Sequence, residues 1–334
     1  MGKDFTARLL NASTNETDIA QEDTAMRIQQ AAFAANKPFL KGALHCHTTR
    51  SDGKGTPEEV IRLHHENGYH FMALTDHNLV NHINHCPDVP MTMLSGIERD
   101  IRLPGRLQDK PHCVHVVGVG VPHDPAAPGQ DVYPGHAGNG DSGADAQPMI
   151  DDMHRWNMKT IYAHPEWSGT TYQDFGMLRG NMAMEIWNTG CVLDNGLDAN
   201  APYWDEALDA GRRIWGVATD DGHPMVQHCK GWVMVAADND APSILAALES
   251  GAFYSSCGPE ITDFYVEDNV AHIRCSAAAT IQFVSLRYPL ACWRDPAGTM
   301  TSAHCELPEG LKYIRITITD KEGRRAWTNP IFLR

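Results

Sequence analysis

The chain has 334 residues, of which 42% are apolar and 21% charged, the composition of a soluble globular protein with room for one large domain and a small one. Its formal net charge of −15 excludes a surface built to coat long nucleic acids, which would show basic clusters. No run approaches the roughly 18 apolar residues of a membrane span, and the first residues lack the apolar core of a secretion signal, so a cytoplasmic protein is expected. Nine cysteines without a CxxC pair fit reduced thiols better than a disulfide framework, and 18 histidines are twice the nine phenylalanines.

In chain order, residues 1–38 read as a helical extension, with "DIAQEDTAMRIQQAAFAA" as its helix. "GALHCH" then reads as a strand, followed by a helix signalled by Thr56 as N-cap, Pro57 at the first helical position, Glu59 completing a capping box and Gly68 as stop. "HFMALTDHN" is the next strand, and a strand–helix–strand unit of this length implies parallel pairing. Further strands are "MTMLSGIE", "CVHVVGVGV", "TIYAH", "MAMEIWN", "IWGVATD" and "GWVMVAA", with helices over 148–158, 201–211 and "APSILAALES". The Gly/Pro/Asp-rich stretch 121–147 reads as a long loop. From about residue 259 the chain reads all-β, with Ile314, Ile316 and Ile318 alternating on one face before a turn at Asp320–Gly323. The expected organisation is an α/β barrel over 39–258 and a small β-sandwich over 259–334.

Chemistry gathers at the strand ends. His45 and His47 are one residue apart on a strand, so their imidazoles share a face. Asp52 follows in the next loop. Asp76-His77, Glu98, His164, Asn188 and the cluster Asp220, Asp221, His223 close later strands, and His115 lies early in its own. Polar side chains at successive parallel-strand ends converge on one barrel rim, and His/Asp/Glu types there point to a metal site. The remaining histidines, including His64, His65, His82 and His85, read as surface residues, and no GxSxG elbow supports a serine hydrolase.

These motifs resemble the PHP family, the polymerase and histidinol phosphatase metallohydrolases, over about 39–258. The HxH followed by "SDG", then "TDHN", "GIE", "AHP" and "DDGH", are similar to that family's successive motifs. "FYSSCGPEI" and "RRAWTNPIFL" look like segments of a branch related to carbaryl hydrolase, which has a C-terminal β module. The resemblance implies a distorted (β/α)7 TIM-like barrel and up to three divalent transition metals, Zn, Mn or Fe. One ion would take His45, His47, Glu98 and Asp221. A second would share Glu98 and take His115 and His164, and the third would take Asp52, His77 and His223. Asp76 and Asp220 would orient imidazoles from behind.

Such a site suits hydrolysis by a hydroxide held on the metals, with Glu98, Asp221 and His223 in the catalytic roles. Three divalent ions against three carboxylates leave a cationic surplus, so a small anionic substrate is expected. Arg50 and Asn188 are the candidate substrate contacts. Arg50 reads equally as a rim arginine, Asn188 as a cap of the following turn, and Trp167, Trp187 and Trp215 as packing. The expected function is a phosphoesterase acting on small organic phosphate esters. The alternatives are a metal-dependent carbamate, amide or ester hydrolase and a non-catalytic metal-binding PHP module. The sequence leaves the oligomeric state unknown.

Overall fold

The computed structural model describes residues 30–33, 36–105, 110–122 and 138–333. The first half contains strands β1 (Gln30–Ala31), β2 (Phe39–Ala43), β3 (Phe71–Ala73), β4 (Thr92–Arg102) and β5 (Cys113–Gly120), with helix α1 (Pro57–Glu66) between β2 and β3. After helix α2 (Gln147–Arg155) come β6 (Lys159–Tyr162), α3 (Tyr172–Phe175), β7 (Asn181–Asn188), α4 (Thr189–Asn195), α5 (Ala201–Asp209) and β8 (Trp215–Thr219). Strand β9 (Trp232–Ala236), helix α6 (Ala241–Ser250) and β10 (Phe253–Ser256) complete the α/β region. The remainder is all strand: β11 (Ile261–Glu267), β12 (Val270–Ala278), β13 (Thr280–Ser285), β14 (Tyr288–Arg294), β15 (Met300–Glu306), β16 (Tyr313–Thr319), β17 (Arg325–Thr328) and β18 (Ile331–Phe332).

The capping box at α1 forms as its sequence dictates. Glu59 N donates to Thr56 Oγ1 and Thr56 N donates back to Glu59 Oε2, at 3.2 and 2.8 Å. The crossover it makes sets β2 parallel to β3, and β3 in turn runs parallel to β4. Gly42 is required at this start: a Cβ there would lie 2.0 Å from Phe71 Cζ, inside the ring.

The expected closed barrel is not formed. One 14-stranded sheet runs β14-β13-β16-β17-β10-β9-β2-β3-β4-β5-β6-β7-β8, with β18 added beside β16 and with β4–β5 and β5–β6 antiparallel. Closure would need β8 to pair with β2, but β9 returns antiparallel to β2 and takes that edge. Inward side chains from β2 to β9, among them Leu40, Phe71, Leu94, Val117, Ile161, Val217 and Val233, still form one buried cluster, so the sheet curls around a shared core. One isolated bridge, Cys46 with Gly222, ties the rim.

Strand β8 is left with an unpaired edge, and the later chain covers it. Gly216 N donates to Asn329 Oδ1 and Ala218 N to Ser255 Oγ, both at 2.9 Å. Side chains therefore satisfy backbone groups that a closing strand would have taken, which protects an otherwise open edge. The C-terminal strands also meet α5 through Arg315, which pairs with both Asp205 oxygens at 2.7 Å. Ile314, Ile316 and Ile318 are fully buried on one core with Phe283 of the neighbouring strand and Phe264 and Ile273 of the second sheet.

The N-terminal helix reading needs correction where it can be seen. Its residues up to 29 lie outside the described residues, but Gln30 and Ala31 are β1, antiparallel to β11. Ala32 N adds a bond to Phe264 O at 2.9 Å, and Phe33 packs edge-on against Phe39 at 5.0 Å. A free sheet edge and an aromatic pocket override the local Ala/Gln preference for helix. Most of the 121–147 loop also lies outside the described residues; its last part forms a short 3-10 turn, Gly143–Ala146, leading into α2.

His64 is not the surface residue its sequence position suggests. It is fully buried on α1, bonds Val60 O through Nδ1 at 2.8 Å, and leaves Nε2 without a hydrogen-bond partner. Burial pushes its pKa down from 6.5 to about 4. The folded protein therefore holds it neutral while the unfolded chain protonates it below about 6.5. Its stabilising contribution is complete above that pH and is lost as pH falls toward 4, on the order of 3 kcal/mol. Urea unfolding at pH 8 and pH 5 should show this loss, and His64→Asn should flatten it. Equal pH dependence in both proteins would refute the assignment.

Candidate metal centre

The site begins where β2 ends. Beyond Ala43 the backbone stays extended, and Asp221 N donates to His45 O while His47 N donates to Gly222 O, at 3.0 and 3.1 Å. These bonds lock the HxH segment to the loop after β8. Alternation buries Cys46 on one side, its Sγ donating to Ala73 O, and turns both imidazoles to the other, with Nε2 atoms 3.2 Å apart.

Glu98, in the middle of β4, stands among five imidazoles. Its Oε2 lies 3.3 Å from His45 Nε2, 3.2 Å from His47 Nε2 and 3.2 Å from His77 Nδ1. Its Oε1 lies 2.8 Å from His115 Nδ1 and 3.3 Å from His164 Nε2. Asp221 Oδ1 faces His45 and His47 at 3.2 and 3.0 Å. Despite this crowding, Glu98 Oε2 and Asp221 Oδ1 are buried with no hydrogen bond. Buried carboxylate oxygens without donors, ringed by imidazole nitrogens, are the arrangement a divalent cation would complete.

Three groups of donor atoms fit an ion: His45, His47, Glu98 and Asp221; His77, Glu98 and His115; and His47, Asp52, His77 and His223. The first is the set implied by the sequence motifs. The second places His77 beside Glu98 and His115, where the motifs implied His164. His164 stays within reach of Glu98 and lies 3.8 Å from Asp221 Oδ2. The third adds His47, through Nδ1, to the expected Asp52, His77 and His223. All nine residues implied as ligands therefore gather in one place.

Within the cluster, carboxylates and imidazoles shift one another's ionisation. Burial opposes charge on His47, but the Asp221 and Glu98 carboxylates beside it win and raise it to about 9. Burial opposes charge on His115 as well, and Glu98 again outweighs it. His223 beside Asp52 holds that carboxyl well below the usual range. A divalent ion among these nitrogens would compete with protons for them.

The backbone is strained at two of these positions. His164 and Asp221 adopt left-handed φ of 24° and 50°, which costs non-glycine residues about 1–3 kcal/mol. Each is held by neighbours: His164 N donates to Glu185 Oε2 at 3.0 Å, and Asp221 N is tied to His45 O.

Glu185 is the main residue that sequence reasoning missed. It is fully buried on β7 and accepts from His45 Nδ1 at 2.6 Å and Thr219 Oγ1 at 2.7 Å through Oε1. Through Oε2 it accepts from Asn188 Nδ2 at 2.9 Å. A carboxylate on Nδ1 fixes the His45 tautomer that points Nε2 into the site. The available signal was a lone acid within the apolar strand "MAMEIWN". By contrast, Asp76 and Asp220 do not orient imidazoles as expected. Asp76 Oδ1 accepts from Thr48 N and Ser51 N, and Asp220 from the amides of Cys229, Lys230 and Gly231. Both clamp loops.

Asn188 spends its amide on Glu185 and Asp221 and its oxygen on Cys191 N, capping α4. The Arg50 guanidinium bonds Asn81 Oδ1, and Arg50 is not among the residues lining the cavity. That cavity, of about 270 Å³, opens over the ligand groups and is walled by Trp167, Gly190, Cys191, Asp194 and Asn195. Trp167 meets His115 and His164 edge-on at 5.7 and 5.1 Å, so it is a wall of the site as well as packing. Trp187 and Trp215 are packing, against Trp327 and Phe332.

No family model and no curated protein matches the chain. Solved structures do. A two-domain protein from Bacteroides vulgatus, whose name gives it a predicted PHP-like metal-dependent phosphoesterase, is 13% identical with a TM-score of 0.46, covering 90% of this chain and 98% of that one. An amidohydrolase from Chromobacterium violaceum with bound sulfate and no metal is 18% identical, TM-score 0.37, over 55% of this chain and 88% of that one. A structure from Bifidobacterium adolescentis, provisionally named a metal-dependent phosphoesterase, is 14% identical, TM-score 0.33, over 56% and 89%. None of these three names concerns a carbamate hydrolase. Among the described residues, no helix is long and apolar enough to cross a membrane.

Proposed function

We propose that the protein is a metal-dependent hydrolase acting on small organic phosphate esters. One observation carries the reading: a single buried carboxylate, Glu98, shared by two of three overlapping donor groups, with a free oxygen aimed among imidazoles at the base of an open cavity. Mixed imidazole and carboxylate donors suit Zn, Mn or Fe. Such ions, when bound, supply Lewis acidity and bring the pKa of water toward neutrality.

The chain's own groups do the rest. Glu98 sets the spacing between adjacent donor groups. His45 is held in one tautomer by Glu185, and Asp221 is held by Asn188 Nδ2 at 3.1 Å. Asp52 and His223 form the solvent side of the cavity, where side-chain exposures of 54% and 30% leave them open to an entering substrate. Trp167 walls the cavity beside His115 and His164. Cys191 also lines the cavity, but burial pushes its thiol pKa far up, so it stays protonated and is no nucleophile.

A second reading, carbamate or ester hydrolysis, is favoured by one observation. Among the described residues no lysine or arginine lines this cavity. A neutral acyl substrate needs none. A panel of phosphate monoesters, aryl carbamates and aryl esters, assayed with Zn or Mn, separates the readings. Turnover of phosphate esters upholds the first, and turnover confined to carbamates or esters replaces it with the second. Tight metal binding without turnover of any class would leave a non-catalytic metal-binding module.

A further inference from the structure

The cavity over the donor groups continues into a larger one. A second cavity of about 540 Å³ shares His77, His115 and Trp167 with it, and adds Asp100, Arg102, Lys110 and His112 to its lining. Strand β4 explains the continuity. Its register with β5 is unbroken from Ser95 to Arg102, so Glu98, Asp100 and Arg102 alternate onto one face. One strand thus runs from the carboxylate at the heart of the site to a guanidinium four residues away, a Cα span of about 13–14 Å.

Arg102 and Lys110 are exposed and have no carboxylate partner among the described residues. The Arg102 backbone is fixed on both sides, its N donating to Gly138 O at 3.1 Å and its O accepting from Gly140 N at 2.8 Å. His112, on the same cavity, bonds Pro104 O through Nδ1, and its buried Nε2 makes no hydrogen bond but faces Asp174 Oδ1 at 4.0 Å. In a chain of net charge −15, two cations without a carboxylate partner among the described residues, in a groove joined to the site, form a local anion trap. Asp100 stands between them and Glu98, so the middle of a bound ligand cannot itself be anionic.

We propose that this second cavity binds a terminal anionic group, making the preferred substrate an extended phosphate ester. Its second anionic group would sit on the order of 10 Å from the scissile one, across an uncharged middle that passes Trp167. The proposal rests on the hydrolase reading of the first cavity and names its substrate class. It also explains why that cavity needs no cation of its own: the charge that selects the substrate lies one cavity away.

The test uses phosphonates, which are not hydrolysed, so binding is read without turnover. Calorimetric titration of the Zn-loaded protein compares alkyl monophosphonates with α,ω-alkane bisphosphonates of increasing length. The expected result is a bisphosphonate advantage of about tenfold or more, peaking at an intermediate spacer, as charge-assisted bonds to guanidinium and ammonium imply. Arg102→Met with Lys110→Met should abolish that advantage and leave monophosphonate affinity unchanged. Equal affinity of the two series, or an advantage that survives the double substitution, overturns the subsite alone. If neither series binds the loaded protein, both the subsite and the hydrolase reading fall.

Discussion

Glu98→Gln is expected to strip metal from two of the three donor groups and to lower kcat/KM by about 10³-fold or more, the scale of losing a central electrostatic group. Glu98 belongs to two of the three donor groups, so one substitution dismantles both. The glutamine is nearly isosteric, but it removes a negative charge and replaces one oxygen with a donor. That donor would face either the His45, His47 and His77 nitrogens or those of His115 and His164. Burial already opposes charge on His115, and without Glu98 its proton loses the carboxylate that holds it, leaving Cys113 beside it. Elemental analysis of the purified variant checks the first expectation, and circular dichroism verifies that the fold is intact. A folded Glu98→Gln protein with its full metal complement would remove Glu98 from the centre of the site.

The second large effect is expected from a residue that does not line the cavity. Glu185→Gln should weaken metal affinity by about 10–100-fold, the usual cost of losing a carboxylate behind a metal-binding histidine. The amide oxygen can still accept one bond, so folding should persist. The charge that fixes the His45 tautomer is lost, however, and the hydroxyl of Thr219, the amide of Asn188 and His164 N must share a weaker acceptor. The readout that separates positioning from a structural defect is rescue: excess metal should restore kcat while the apparent metal Kd, measured against a chelator, stays raised. Activity that excess metal leaves unrestored would show that Glu185 acts otherwise.

Much of this molecule was legible in short stretches because local periodicity and turn chemistry act over a few residues. The capping box at Thr56 and Glu59, the buried Ile314, Ile316 and Ile318, and the pairing of His45 with His47 follow from spacings of two or three residues. The donor groups were legible in part for the same reason: His77, His164, Asp221 and His223 follow the ends of strands, positions that gather on one rim, while Glu98 and His115 lie inside their strands and were placed by the resemblance of their motifs. The sequence alone therefore determined which residues would gather, though not which of them share an ion.

What tertiary structure decided depends on partners far along the chain. The barrel stays open because β9 takes the β2 edge, and no property of β8 announces that competition. Gln30 and Ala31 become strand because β11, more than 200 residues later, presents a free edge. Arg50 turns to Asn81, His64 is buried beside Tyr69 and His228, and Asp76 and Asp220 hold loops, each through neighbours that periodicity does not reveal. Glu185 is the clearest case. Its bond to His45 spans 140 residues, and a lone acid in an apolar strand reads the same whether it faces solvent or a buried imidazole. Only the fold, by excluding water from β7 and bringing β2 alongside the rim, makes that carboxylate the group that aims the first histidine.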